Sequence, residues 1–233
     1  MTRGRKDITL KRLSSLLFGG SCFLCRGAAR GVLCPACDAD LPRLAGPRCP
    51  RCALDSPRGE ICGRCLSDPP HYDATVAALA YAFPADVLIH ALKFRGELAL
   101  APLFAEMLLQ EIPASEPIDL VLPVPLSAQR LRERGYNQSA EIARRLPGRA
   151  PLELFLCERS RDTAAQTGLP WSERQRNVRG AFRCARRLAG GSVAVVDDVM
   201  TTGATLNEIA AVLKAAGAAR VVNWVVARTH VGT

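Results

Sequence analysis

The segment Val193-Ala194-Val195-Val196-Asp197-Asp198-Val199-Met200-Thr201-Thr202-Gly203-Ala204-Thr205-Leu206 narrows the available folds more than any other part of the chain. Four consecutive apolar residues predict a strand buried on both faces, as in a parallel sheet covered by helices. Two carboxylates stand at its carboxyl end, a Thr/Gly loop follows, and a helical run extends from about Ala204 to Ala216. Loop amides and a helix start offer unpaired N–H groups and positive dipole to a phosphate. Gly203 lets the backbone approach closely, the threonines add hydroxyl donors, and the carboxylates accept from vicinal hydroxyls. Open α/β sheets bind ligands at this end of their strands. The chemistry points to a phosphorylated, hydroxylated ligand. The alternative is an ordinary buried strand ending in a Gly turn, but a paired Asp-Asp on such a strand is costly without a ligand.

The stretch resembles the motif with which type I phosphoribosyltransferases bind phosphoribosyl pyrophosphate (PRPP): an apolar strand, Glu/Asp-Asp, two apolar residues, then Thr/Ser-Thr-Gly-x-Thr. Every position is filled. The resemblance implies an α/β, type I phosphoribosyltransferase fold with a parallel sheet core. It makes Asp197 and Asp198 the catalytic pair, holding the ribose hydroxyls. Val199, Met200, Thr201, Thr202, Gly203, Ala204 and Thr205 become the PRPP loop, with Thr201 to Thr205 around the 5′-phosphate. Adjacent strand residues alternate between faces, so both carboxylates face one ribose only if the strand leaves the sheet at Asp197. Mg²⁺ is expected with PRPP, keeping several waters and needing few protein ligands.

Eight of the ten cysteines fall in four C-x-x-C pairs: Cys22/Cys25, Cys34/Cys37, Cys49/Cys52 and Cys62/Cys65. Two such knuckles complete a tetrahedral thiolate site, so two structural zinc ions are expected. Sequential and cross-braced pairing of the knuckles both satisfy the spacing, and disulfides are the competing chemistry. Cys157 and Cys184 lie outside the pattern and read as small buried hydrophobes. A double zinc ribbon over 20–70 would then follow a basic amino-terminal segment, 1–19, and precede a phosphoribosyltransferase domain, 71–233.

At 48% hydrophobic residues the chain is globular rather than disordered. Its formal charge is +9, and two four-thiolate zinc sites of −2 each would leave +5. The basic excess suits polyanions such as PRPP or nucleic acid, or is simply a solvated surface. No apolar run is long enough to span a membrane. Lys11 and Arg12 interrupt the stretch a signal peptide would keep apolar. Ile8, Leu13, Leu16 and Leu17 fit a helix that either docks on the protein's own core or lies on a membrane surface. Peripheral membrane contact and a cytoplasmic location are the expectations.

The body reads as strand 75–81, helix 86–92, helix 98–111 and strand 119–124, the last limited by Pro123 and Pro125. His90 reads as a packing or surface residue. A basic connection follows and runs into a helix continuing to about Leu146. It carries Arg130 and Arg134, whose planar guanidinium groups suit phosphate oxygens. A strand is expected over 152–157 and another over 221–227, parallel to the central one. The polar stretch 158–179, rich in arginine, has no clear period and is a candidate lid.

A narrower resemblance rests on several motifs in fixed order. They are the C-x-x-C-rich head, Lys93-Phe94-Arg95-Gly96, Pro123-Val124-Pro125 and Arg134-Gly135-Tyr136-Asn137-Gln138, then Gln166, Arg176-Asn177-Val178, Gly180-Ala181-Phe182 and the PRPP motif. The set resembles the ComF (ComFC/GntX-like) family of competence proteins. It implies a role in natural transformation on the cytoplasmic side, with PRPP, single-stranded DNA and other competence proteins as partners. Arg130, Arg134, Asn137, Gln138, Gln166 and Arg176 become the pyrophosphate and lid candidates. The alternative is an active phosphoribosyltransferase acting on an unidentified acceptor and unrelated to DNA uptake. Aromatics make up only 5%, with Phe23, Tyr72, Tyr136 and Trp171 the candidates for base stacking, so DNA contact is expected to be largely electrostatic.

Overall fold

A computed structural model describes residues 20–146, 148, 150–161 and 178–230. It divides into two compact units, Met1–Pro42 and Arg43–Thr233. In the first, the short strands β1 (Gly20–Ser21) and β2 (Ala28–Ala29) pair antiparallel, and a five-residue helix α1 (Pro35–Ala39) follows. Pro35 at its first turn costs no hydrogen bond, because that N–H has no intrahelical partner.

The larger unit opens with a cysteine-rich ribbon and the short helix α2 (Gly63–Ser67), then enters an all-parallel sheet. Its strands are β3 (Ala74–Ala80), β4 (Leu120–Pro123), β7 (Ser192–Met200) and β8 (Arg220–Arg228), in the spatial order β3-β8-β7-β4. Central strands β7 and β8 are buried along nearly their whole length, as continuous apolar runs require. Helices α3 (Ala85–Phe94) and α4 (Leu100–Glu111) connect β3 to β4. After β4 come α5 (Ala128–Arg134) and α6 (Gln138–Ala143). A small antiparallel pair, β5 (Cys157–Arg159) with β6 (Phe182–Cys184), precedes β7, and α7 (Ala204–Ala215) links β7 to β8. Helices α4 and α6 pack on the sheet and on each other, while α7 packs on β8 and β6.

The sheet, its parallel sense and most element positions agree with the sequence reading. Three features differ. The basic connection holds a helix of its own, α5, which Gly135 at φ 81° ends in a left-handed cap, and the helix expected to run to about Leu146 stops at Ala143. The strand expected over 152–157 is a single bridge from Leu152 to Val121; the chain then turns and β5 begins only at Cys157. A chain that turns after Glu153 cannot continue a ladder along the β4 edge. Cys184 is half-exposed although it faces buried Cys157 across the β5–β6 pair, and its thiol donates to the Arg186 carbonyl rather than packing as a hydrophobe. The amino-terminal helix expectation and most of the candidate lid lie outside the described residues. Among the described residues, no helix is long and apolar enough to cross a membrane.

Candidate functional site

The ladder between β4 and β7 ends at Pro123↔Val196, closed by the Val124 amide donating to the Val196 carbonyl at 2.9 Å. On the other side β7 stays paired with β8 through Asp197↔Val225 and Val199↔Ala227 to Met200↔Arg228. Beyond Val196 the central strand is therefore paired on one side only. Pro125 offers no N–H to extend the β4 ladder, and the chain leaves into α5. The crevice between these carboxyl ends is where open parallel sheets accept ligands. The strand does not leave the sheet at Asp197, contrary to the sequence expectation, because β8 is as long as β7 and holds it to Met200.

Both carboxylates are buried, Asp197 at 9% exposure and Asp198 at 2%. They meet different partners. Asp197 Oδ1 accepts from Ser139 Oγ and from the Asp198 amide, each at 2.9 Å. Ser139 is placed by α6, which Asn137 caps: Asn137 Oδ1 accepts from the Ser139 and Ala140 amides, and its Nδ2 donates to the Val124 carbonyl. One asparagine thus fixes a helix start to the end of β4. Asp198 Oδ1 accepts from the Val199 amide at 2.9 Å, and Lys93 Nζ lies 2.8 Å from its Oδ2. That second contact is an ion pair. Burial and then the Asp198 charge push the Asp197 carboxyl up to about 7. Burial pulls the Lys93 ammonium down, but the Asp198 contact and the Asp197 charge together outweigh it and hold Lys93 above its ordinary value.

The loop after Met200 is tied down from behind. Arg228, 2% exposed at the end of β8, donates to the carbonyls of Cys52, Met200, Thr201 and Thr229. Arg64 donates to the Thr202 carbonyl at 3.1 Å. In a trans peptide the N–H points opposite the C=O. Holding three successive carbonyls on guanidinium groups turns the amides of Thr201, Thr202 and Gly203 the other way, a concavity suited to an anion. Gly203, at φ +83°, is the N-cap of α7, and a Cβ there would meet Met200 Cε at 2.7 Å and Tyr72 Oη at 3.1 Å. Thr202 Oγ1 accepts from the Ala204 amide at 3.3 Å.

The basic connection borders the same crevice. Ser127 caps α5, and Arg130 and Arg134 are half-exposed along it. The Arg134 guanidinium donates to Gln138 Oε1 and lies 5.1 Å over the Phe94 ring, while Tyr136 Oη donates to the Leu92 carbonyl. These contacts bind the connection to the end of α3 that carries Lys93.

The cysteines form two separate clusters, Cys22/Cys25/Cys34/Cys37 in the first unit and Cys49/Cys52/Cys62/Cys65 in the larger one. Pairing is sequential. In each cluster all four sulfurs lie within 4.8 Å of one another. Cys25 and Cys34 Sγ are 3.7 Å apart, and Cys52 and Cys62 Sγ 3.6 Å. A tetrahedron with Zn–S bonds of about 2.3 Å has edges of about 3.8 Å, whereas a disulfide needs about 2.05 Å. The donor set therefore fits structural zinc. The two centres share one local construction. The amides of Cys22 and Cys49 donate to carbonyls five residues on, their carbonyls accept from Arg26 and Ala53, and those two residues have positive φ. Each second knuckle then starts a five-residue helix.

Residues 13–66 match the double zinc ribbon domain, and residues 131–233 match the phosphoribosyl transferase domain. The chain is 35% identical to the DNA utilization protein YhgH of Escherichia coli O157:H7 over 228 residues, which cover 90% of this chain and 97% of that protein. It is 30% identical to Competence protein F of Haemophilus influenzae, covering 91% and 98% of the two chains. The chain belongs to the ComF family. A ComF relative from Streptococcus pneumoniae, Competence protein ComFC, is 26% identical over 191 residues, 80% of this chain.

In this ComF chain the fold gathers Asp197, Asp198, the 199–205 loop, Arg130, Arg134, Asn137 and Gln138 around one crevice. Gln166 and Arg176 lie outside the described residues. Lys93, Ser139, Arg64 and Arg228 were not singled out by sequence reasoning. Lys93 was visible only within Lys93-Phe94-Arg95-Gly96, and Arg228 only as a charge ending an apolar strand. Their importance comes from separations of tens to more than a hundred residues, which no local pattern carries.

Proposed function

We propose that this protein binds PRPP with Mg²⁺ at the carboxyl end of β7 and acts in DNA uptake or handling on the cytoplasmic side. The observation that carries the reading is the juxtaposition of Asp197 and Asp198 with a loop whose carbonyls are drawn back onto Arg64 and Arg228. In this reading the outward amides of Thr201 to Gly203 and the start of α7 hold the 5′-phosphate. Asp198 and Asp197 accept from the ribose hydroxyls. Arg130 and Arg134 stand on the side where the pyrophosphate would lie and meet its oxygens as planar donors. Mg²⁺ bound with the ligand would supply charge neutralisation for the pyrophosphate and would need no dedicated protein cage, with Asp197 and Asp198 the nearest carboxylates. The names of the relatives, DNA utilization and competence proteins, support the DNA role. Calorimetric titration of the zinc-loaded protein with PRPP and Mg²⁺ tests the ligand. Saturable binding lost in Asp198→Asn is expected; no heat from the wild type refutes the reading.

The phosphoribosyl transferase match also favours a second reading, an active transferase. Displacement of pyrophosphate at the anomeric carbon would place positive charge on the sugar beside the two carboxylates, which stabilise it. Incubation with labelled PRPP and a nucleobase panel separates the readings: a phosphoribosylated product establishes turnover.

A further inference from the structure

Two cysteines stand outside the zinc centres, and the fold sets them opposite one another. Cys157 on β5 pairs with Cys184 on β6 in antiparallel register. The Ala185 amide donates to the Leu156 carbonyl at 2.8 Å, and the Ser160 amide to the Ala181 carbonyl at 2.9 Å. Hydrogen-bonded pairs recur at every second position of an antiparallel ladder, so Cys157 and Cys184 fall between two of them. At such a position the facing Cα atoms lie about 4.5 Å apart, and both side chains leave the same face of the ribbon. A disulfide joins residues whose Cα atoms are about 4.4–6.8 Å apart. The two backbones therefore stand at bridging distance without movement of either strand.

The two sulfurs differ in their surroundings. Cys157 belongs to the buried core, and burial, then the Cys184 and Glu158 charges, push its thiol up to about 12. Cys184 packs against that core from its margin, is half-exposed, and donates its thiol to the Arg186 carbonyl at 3.1 Å. Arg183, Arg186 and Arg187 are exposed around it. Arg183 and Arg186 pair with Glu158 and Glu153, each at 3.2 Å. Among the described residues no further Cys, His, Asp or Glu joins the two cysteines in a metal-sized group. Two thiols alone do not complete a zinc tetrahedron, so the pair is not a third metal centre.

We propose that Cys157 and Cys184 form a reversible dithiol–disulfide pair, closed by exchange with an anionic low-molecular-weight disulfide. The pair is independent of the PRPP and DNA readings above. Cys184, the reachable sulfur, attacks the external disulfide R–S–S–R, forms a mixed disulfide and releases one RS⁻. Cys157, which holds its proton more tightly, attacks second, at the Cys184 sulfur. The protein S–S bond forms and the other RS⁻ leaves. The two cysteine protons end on the two released thiols, and the two electrons the cysteines lose reduce the external disulfide. Closure gives up the Cys184 hydrogen bond to Arg186, and a turn about χ1 carries its sulfur without moving the backbone. The exposed arginines attract a disulfide that carries carboxylates. A returning thiolate reaches the same half-exposed sulfur, so the bond reopens. The crosslink clamps a two-stranded pair that shares no ladder with the main sheet and packs on α7, the helix that starts at Gly203.

The test incubates the full zinc-loaded chain across a series of ratios of glutathione disulfide to glutathione, then alkylates free thiols and maps the peptides by mass. The expected product is a Cys157–Cys184 crosslinked peptide, lighter by two hydrogens than its two thiol peptides together, with the zinc content unchanged. Excess glutathione should reopen it. The closed form should melt about 5–10 °C above the reduced form, because the bond closes the loop from Cys157 to Cys184 in the unfolded chain. Cys157→Ser should stop at the mixed disulfide on Cys184, and Cys184→Ser should keep Cys157 as a thiol. The wild-type crosslink and the half-exposed Cys184→Ser variant decide the matter even where the buried Cys157→Ser change prevents folding. Free thiols at both positions across the whole series overturn the pair. So does a wild type that stops with glutathione on Cys184, or oxidation confined to the zinc cysteines with loss of metal.

Discussion

Lys93 Nζ rests 2.8 Å from Asp198 Oδ2, so the deepest carboxylate of the crevice is neutralised by the chain itself. Asp198 is 3% exposed at its side chain and Lys93 28%. A hydroxyl that is to reach Asp198 must share it with, or displace, the ammonium. Removing Lys93 leaves a buried charge without its partner. Lys93→Ala should therefore lose roughly 2–3 kcal/mol of stability, less than a fully buried pair because the lysine keeps solvent access. Asp198→Asn loses the same pair, whereas Asp197→Asn should fold nearly as well as wild type. Chemical denaturation of the three variants checks this; equal stability of Lys93→Ala and wild type would refute it.

Asp197 carries a pH signature. Its folded carboxyl is held up to about 7 by burial and by Asp198, against about 3.9 in an unfolded chain. The folded state binds the extra proton, so the stability from this group is full below about pH 4 and is lost as pH rises through about 7. The unliganded wild type should lose melting temperature between pH 5 and 8 relative to Asp197→Asn. With PRPP held as proposed, the ribose hydroxyls need the ionised acceptor, so PRPP affinity should rise between pH 6 and 8 in wild type and stay flatter in the variant. Melting curves and calorimetry across that range decide both points.

Arg228 couples the second cysteine centre to the loop after Met200, donating from one side chain to Cys52, Met200 and Thr201 carbonyls. Two zinc ions per chain are expected by metal analysis. Arg228→Met should lower PRPP affinity about ten-fold or more, since hydrogen bonds to a charged group are worth roughly 1.5–3 kcal/mol each. Chelating the zinc should lower it too, because the ribbon holding Cys52 and Arg64 folds around its metal. PRPP affinity that survives complete zinc removal would break the coupling.

Gly203 sits in a left-handed backbone conformation that side-chain-bearing residues rarely adopt. At φ +83°, and with a Cβ 2.7 Å from Met200 Cε, Gly203→Ala should cost roughly 1–2 kcal/mol. PRPP affinity should fall at the same time as the loop shifts, whereas Gly148→Ala, at φ +70° with nothing within 4 Å of its Cβ, should cost stability alone. Denaturation and calorimetry on the pair of variants distinguish strain from site damage.

The local sequence alone determined the parallel strand Val193 to Val196, the acidic pair, the Gly203 turn and the four cysteine knuckles. Each is a pattern of near neighbours, written by strand burial, turn geometry or metal valence. Tertiary structure alone decided how those patterns meet. Sequential pairing of the knuckles depends on where the ribbons turn. Ser139 reaches Asp197 across 58 residues, and Arg64 reaches Thr202 across 138. Arg228 closes on Cys52 across 176. Both Asp residues remain in the ladder because β8 runs the full length of β7, a partner's length that the motif itself does not encode. Contacts of this range depend on how the whole sheet stacks its helices and ribbon, and a buried carboxylate takes its proton affinity from whatever that stacking places beside it.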